Sequence, residues 1–275
     1  MNKIQDFRLR CISLGAGVQS TTMALMADAG EFDVKPDCAI FSDTGWEPRE
    51  VYDHLDRLQM ALSFPVYRIS KGSILDSIKR QAGVTPGRFA SVPWWTTDDA
   101  GKKTAGRRQC TREFKMEPIA KKQRELLGYA KGQRIPVGSV ECWIGISTDE
   151  AMRMKPGFQR WQVNRWPLIE KHMSRADCLR WLEAHGWTAP KSACIGCPYR
   201  SDSGWRRLRD NNPAEWADAV AVDKMIRTGG SKRGMRGEQY MHPSLKPLDE
   251  VDLSTDVERG QILLFNAECE GMCGV

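Results

Sequence analysis

Residues 8–29, RLRCISLGAGVQSTTMALMADA, constrain this chain more than any other stretch. The apolar run over 9–14 reads as a short buried strand, Gly15 and Gly17 as a turn, and 18–29 as a helix. A strand that passes through glycines into a helix is the layout of an anion site. Glycines let backbone N–H groups close on a phosphate, and the helix N-terminus adds partial positive charge there.

The same rhythm continues downstream. Residues 37–43 (DCAIFSD) form a second apolar run, and 48–62 carry Val51, Leu55, Leu58 and Leu62 at helical spacing. A third strand over 64–70 and a third helix over 72–81 follow. This alternation predicts an α/β fold: a parallel sheet with right-handed crossovers and helices on both faces. In such sheets a ligand sits at the carboxyl ends of the strands, where Gly15, Gly17 and Asp43 should gather. From 83 to 108 the pattern dissolves into Gly, Pro, Thr and charge around Trp94 and Trp95, which reads as a surface loop or a cover over a substrate. A basic helix over 109–127, a buried strand over 140–146 and a helix start at 147–150 come next. A helix over 174–185 has Ser174 as its N-cap and Gly186 as its stop. We read 1–202 as the nucleotide-binding domain and 203–275 as a mainly helical C-terminal extension with a cysteine-containing tail.

At 275 residues and 41% hydrophobic, the chain can bury a full core. It has no apolar run near the roughly 20 residues that span a bilayer, and its first residues, MNKIQDFRLR, lack the apolar segment of a leader. A cytoplasmic location without membrane contact is expected. Nine cysteines without a dense, regular spacing then suit metal, cluster or redox roles better than disulfides. The formal net charge of +6 suits an anionic ligand.

Gly15-x-Gly17-x-x-Ser20 comes close to the dinucleotide fingerprint, and Asp43 stands near the place of a ribose-binding acid, so an NAD-dependent Rossmann oxidoreductase is one reading. A nucleotide- or nucleic-acid-binding module without turnover is another. The Gly-Lys-Ser/Thr ending of a P-loop is missing.

More residues fit a third reading. Residues 13–21 (SLGAGVQST) resemble the pyrophosphate-binding loop of the adenine nucleotide α-hydrolase (PP-loop) superfamily, in particular the phosphoadenylyl-sulfate (PAPS) reductase family, with Gln19 where that loop commonly has Asp. Further pieces match in order. Asp43-Thr44-Gly45 looks like the family's signature after strand two. Residues 110–118 (CTREFKMEP) are similar to its Cys-Cys-x-x-x-Lys-x-x-Pro stretch, with Thr111 for the second cysteine. Gly145, Asp149, Glu150 and Arg153 resemble its Gly-x-x-x-Asp-Glu-Ser-x-x-Arg motif, one residue shorter, and Cys194-Ile195-Gly196-Cys197 its Cys-x-x-Cys end. The likeness covers roughly residues 8–200.

The resemblance implies an adenine nucleotide (ATP, adenylyl sulfate or PAPS) held by Ser13, Gly15, Gly17, Gln19, Ser20, Thr21, Asp43, Thr44 and Gly45. Lys115 and Arg153 become catalytic anion contacts, since ammonium and guanidinium groups complement phosphate and sulfate. Cys269 or Cys273 takes the place of the family's tail nucleophile. Cys194 and Cys197 alone have the spacing that lets two thiolates converge on one metal. The resemblance adds Cys110 and a [4Fe-4S] cluster, with Cys142, Cys269 or Cys273 as a fourth ligand; zinc, or no metal, stays open. Two activities follow: reduction of an adenylyl sulfate to sulfite, or ATP-dependent sulfur transfer to tRNA or DNA. The partners implied are a thiol reductant or a sulfur-donor protein, and a homo-oligomer is compatible with either.

Overall fold

The computed structural model describes residues 6–228, 237–254 and 258. The chain runs β1 (Leu9–Leu14), α1 (Val18–Asp28), β2 (Cys38–Asp43), α2 (Arg49–Ala61), β3 (Val66–Ser70) and α3 (Ile74–Gln81). A hairpin of β4 (Trp95–Thr97) and β5 (Lys103–Ala105) leads to α4 (Gln109–Thr111), a π-helical turn (Arg112–Met116) and α5 (Glu117–Leu126). Then come β6 (Val140–Ile144), a 3-10 segment (Thr148–Arg153), β7 (Gln162–Arg165), α6 (Pro167–Glu170), α7 (Arg175–Ala184), α8 (Asp202–Asn211) and α9 (Pro213–Arg227).

Five strands form one parallel sheet in the order β3-β2-β1-β6-β7. Both faces are covered, which is why the inner strands are almost continuously apolar rather than alternating. Ile12, Leu14, Ala39, Phe41 and Trp143 pack with residues of α1, α2 and α7 in one core cluster. Leu9, Cys11, Cys38, Ile40, Cys142 and Ile144 pack with Ile119 and Ala120 of α5 in another. The strand order leaves β1 between β2 and β6, so the crevice at the carboxyl end of β1 is where a ligand is expected.

A third cluster joins Ile74 and Ile78 of α3 to Trp205 and Leu208 of α8, and to Ala219, Val222 and Ile226 of α9. Across residue 202, where the nucleotide-binding domain is expected to end, α8 and α9 share apolar neighbours with α3, Trp46 and Ile195. Asp223, buried on α9, accepts from the backbone N–H of Met241 (2.9 Å) and Leu248 (3.1 Å) and pairs with Arg227, tying 241–248 onto that helix.

Three local features differ from the sequence expectation. The patternless 83–108 stretch contains the β4–β5 hairpin, to which Tyr240 adds an isolated bridge at Trp95. The helix start at 147–150 yields only a 3-10 segment, with a kink at Glu150. β7 went unread because Gln162-Val163-Asn164-Arg165 has one apolar residue. Elsewhere the strand and helix bounds agree within a residue or two, and the Ser174 hydroxyl caps α7 by accepting from Asp177 N–H. Among the described residues no helix is long and apolar enough to cross a membrane.

The buried His54 of α2 meets Thr21 Oγ1 at 2.9 Å, and the ring stands edge-on to Trp187. Burial, helped by Arg57, pushes its pKa down to about 4. The imidazole is thus neutral in the fold, and its contribution is complete above the ordinary value near 6.5. It is lost as pH falls through the window from about 6.5 to 4, because the unfolded chain takes up the proton first. Thermal melts at pH 7 and pH 5 should show a drop in Tm that is smaller in His54→Gln; an equal drop in both proteins would remove His54 as the cause.

Candidate nucleotide and thiol site

β1 ends at Leu14, and α1 begins at Val18, so three residues make the turn. Ala16 sits there with φ of 57°, a left-handed conformation that costs a non-glycine residue on the order of 1 kcal/mol and persists only where packing enforces it. It is fully buried. Gly17 precedes the helix, its N–H donating to Ser20 Oγ at 3.2 Å. The first N–H groups of a helix have no intrahelical acceptor, so the start of α1 presents donors and partial positive charge to whatever occupies the crevice.

That crevice is a cleft lined by Ser13, Gly15, Gly17, Gln19 and Ser20 from the β1–α1 turn, with Phe41 and Ser42 from β2. Lys115 and Met116 come from the π-turn, Cys142 and Ile144 from β6 with Gly145 just after it, and Glu150 and Arg153 from the 3-10 segment. Two close approaches shape it. A Cβ on Gly145 would stand 2.9 Å from Ser20 N and Cα, so the bare glycine lets the α1 terminus rest on the end of β6. A Cβ on Gly17 would stand 2.5 Å from Ser192 Oγ, which brings the 190–193 segment down over the turn.

Gln19 donates to Glu150 Oε2 (3.2 Å) and Ser147 Oγ (3.4 Å). Glu150 also pairs with Arg153 Nη1 at 2.5 Å. A carboxylate of the 3-10 segment thus meets the β1–α1 turn and pairs with the cleft's guanidinium.

Beside the cleft lies a smaller cavity lined by Thr44, Trp46, Arg108, Cys110, Thr111, Cys194 and Cys197. Lys115 and Tyr199 line both cavities. The Cys-x-x-Cys turn is held from several sides. Ile195 N–H donates to Trp46 O (2.9 Å), Cys197 N–H to Cys194 O (3.1 Å), and the buried Arg200 to the carbonyls of Ala193 and Cys194 (3.3 and 3.1 Å). Gly196 lies flat on Trp46, where a Cβ would meet the indole at 2.3 Å. Cys194 Sγ contacts Thr44 Oγ1 (3.3 Å) and Glu47 Oε1 (3.5 Å); Glu47, nearly fully buried, also accepts from Thr44 (2.8 Å) and faces Lys115 Nζ (3.9 Å).

Of the residues expected from the sequence, Ser13, Gly15, Gly17, Gln19, Ser20, Lys115 and Arg153 meet at the cleft, and Cys110, Cys194 and Cys197 meet at the smaller cavity. Four residues expected at the nucleotide, Thr21, Asp43, Thr44 and Gly45, are placed elsewhere than in this lining. The Thr21 hydroxyl is turned into the core against His54. Asp43 and Gly45 serve their own turn, with Asp43 Oδ1 accepting from Gly45 N–H (2.7 Å) and from Tyr52 OH (2.8 Å), a phenol kept protonated by burial and by that carboxylate. Thr44 belongs to the thiol cavity instead. Cys142 lies on β6, lining the cleft rather than joining the three thiols. Cys269 and Cys273 lie outside the described residues.

Three thiols around one cavity have the soft donor chemistry of a cluster or zinc site. Among the described residues, however, no group of three or more His, Cys, Asp or Glu side chains is arranged to hold a metal ion. Sequence reasoning missed Ser192, Arg200, Tyr199 and Glu47. Ser192 and Arg200 flank the Cys-x-x-Cys pair closely enough to be weighed with it; Glu47 gave no signal beyond its place after Asp43-Thr44-Gly45. No protein-family model matches the chain, and no curated protein matches its sequence.

The contact at Gly17 gives a direct test. Gly17→Ala should abolish or strongly weaken binding of any phosphate ligand at the cleft, and adding Ser192→Gly should recover part of it by vacating the space. Calorimetric titration with ATP measures both; a double variant no better than the single one would detach Ser192 from the loop.

Proposed function

We propose that this chain is an enzyme of the PAPS reductase family that binds an adenine nucleotide in the cleft and acts at its α-phosphate or attached sulfate with cysteine sulfur chemistry. What carries the reading is one observation: Lys115 and Tyr199 line both the cleft and the thiol cavity, so a phosphoryl or sulfonyl group at the β1–α1 turn would share a cation with the cysteines.

The chain's own groups divide the work. The start of α1 and the glycine turn receive phosphate oxygens, Arg153 is oriented by Glu150 to neutralise charge, and Lys115 meets the charge that develops at the reacting centre. In sulfate reduction, a cysteine thiolate attacks the sulfonate sulfur. The sulfur–oxygen bond to the nucleotide breaks, the nucleotide leaves with that electron pair, and a second thiol displaces sulfite as a disulfide forms. Bound by Cys110, Cys194 and Cys197, an iron–sulfur cluster would supply electrons or carried sulfide beside the cleft, whereas zinc would only brace the turn. Iron, zinc and sulfide content after anaerobic purification separates those cases.

A second reading, ATP-dependent sulfur transfer to a nucleic acid, is favoured by the hairpin. Lys102, Lys103 and Arg107 are exposed there, next to Arg108 of the thiol cavity. Such a run offers phosphate contacts without base readout.

Incubating reduced protein with ATP, adenylyl sulfate or PAPS distinguishes the activities by pyrophosphate or sulfite release. Lys115→Met should lower whichever rate is found by ~10²-fold, the scale of losing one preorganised charge-stabilising group. Release of neither product, with or without nucleic acid and a thiol reductant, would sink the enzymatic reading.

A further inference from the structure

Three cysteines stand side by side across the middle of the sheet. In the β1–β2 and β1–β6 ladders Cys11 is opposite both Cys38 and Cys142, so all three side chains project on the same face. None belongs to the thiol cavity, and the function proposed above uses none of them. They are not equivalent. Gln123, fully buried on α5, donates its Nε2 to Cys11 Sγ at 2.9 Å and reaches Cys142 Sγ at 3.6 Å, so those two sulfurs share one nitrogen. Cys142 also lines the cleft, which Cys11 and Cys38 do not.

We propose that Cys11 and Cys142 form a two-thiol redox site at the floor of the cleft, oxidised by a small hydroperoxide to a disulfide across β1 and β6. Neighbouring strands lie about 4.7–4.9 Å apart, inside the range of roughly 4.4–6.8 Å that disulfides span between Cα atoms. Access assigns the roles: Cys142 lines the cleft, and Cys11, fully buried, does not. Burial pushes Cys38 up to about 12. Cys142 is therefore the member of the row that a small oxidant reaches from the cleft, with Cys11 beside it on β1 as the resolving thiol.

The chemistry closes on two thiols and one peroxide. The Cys142 sulfur attacks a peroxide oxygen, the O–O bond breaks, and a sulfenic acid forms as water or an alcohol leaves. The Cys11 sulfur then attacks the Cys142 sulfur, the S–O bond breaks, and a second water leaves with the Cys11 proton. Two thiols lose two electrons to the peroxide. Gln162, bonded through its amide to Gln123, also lines the cleft, so two side-chain hydrogen bonds connect the pair to a second residue of the ligand site.

The test is a thiol map of the full chain. Anaerobically reduced protein is treated with hydrogen peroxide, quenched with N-ethylmaleimide, digested without reductant and analysed by mass spectrometry. The expected result is loss of Cys11 and Cys142 as alkylated thiols and appearance of the Cys11–Cys142 cross-linked peptide. The link should persist in Cys38→Ala and vanish in Cys142→Ala, with folding of each variant checked by circular dichroism. Recovery of both cysteines as alkylated thiols after peroxide is consumed, a Cys11–Cys38 link instead, or Cys142 found as an unlinked sulfinic acid would each overturn the proposal. Because the wild-type map needs neither nucleotide nor turnover, its outcome is independent of the activity proposed above.

Discussion

The contact on which the rest depends is the approach of the α1 N-terminus to the end of β6. It is permitted because Gly145 has no side chain: a Cβ there would stand 2.9 Å from the Ser20 backbone. Were α1 lifted, the turn of Ser13 to Ser20 would no longer face Glu150 and Arg153, which leave β6 on the 3-10 segment. The missing side chain at Gly17 does the same on the other side, bringing Ser192 down and with it the chain that leads into Cys194 and Cys197. Two bare backbone positions thus bring three distant segments to one crevice. The left-handed Ala16 between Gly15 and Gly17 shows that the turn is held by its surroundings rather than by local preference.

The layered sheet was legible because its signals are local. Apolar runs, helical spacing over 48–62 and the Ser174 cap with its Asp177 partner each follow from a few neighbouring residues. The glycine turn was legible for the same reason, and so was the Cys-x-x-Cys pair. What escaped depends on distant packing. β7 carries a polar sequence because it is an edge strand, paired on one side with β6 alone. Asp43 and Thr21 looked like ligands by position in a motif, yet Tyr52 and His54, both on α2 and 9 and 33 residues away, meet their polar groups. No sequence pattern announces that Gln19 would meet Glu150, 131 residues away.

The second physical theme is the separation of the cysteines into two environments. Cys110, Cys194 and Cys197 sit among Trp46, Arg108, Lys115 and Tyr199, where cations and an open cavity favour reactive sulfur. Cys11, Cys38 and Cys142 sit inside the sheet, and only Cys142 opens on the cleft. Cys142 lines the crevice that begins at Gly15 and Gly17, and the cavity of Cys110, Cys194 and Cys197 shares Lys115 and Tyr199 with it. That arrangement makes sulfur chemistry beside a bound phosphate the economical reading of a chain with nine cysteines.

The claim that carries all of this is that the β1–α1 turn holds the phosphates of an adenine nucleotide. Hydrogen–deuterium exchange of the full chain with and without saturating ATP tests it most directly. Amides over 15–20, 145–147 and 190–193 should exchange more slowly with the nucleotide bound, while those of β3 and α9 stay unchanged. Unaltered exchange over 15–20, or protection confined to a surface remote from β1 and β6, would contradict it.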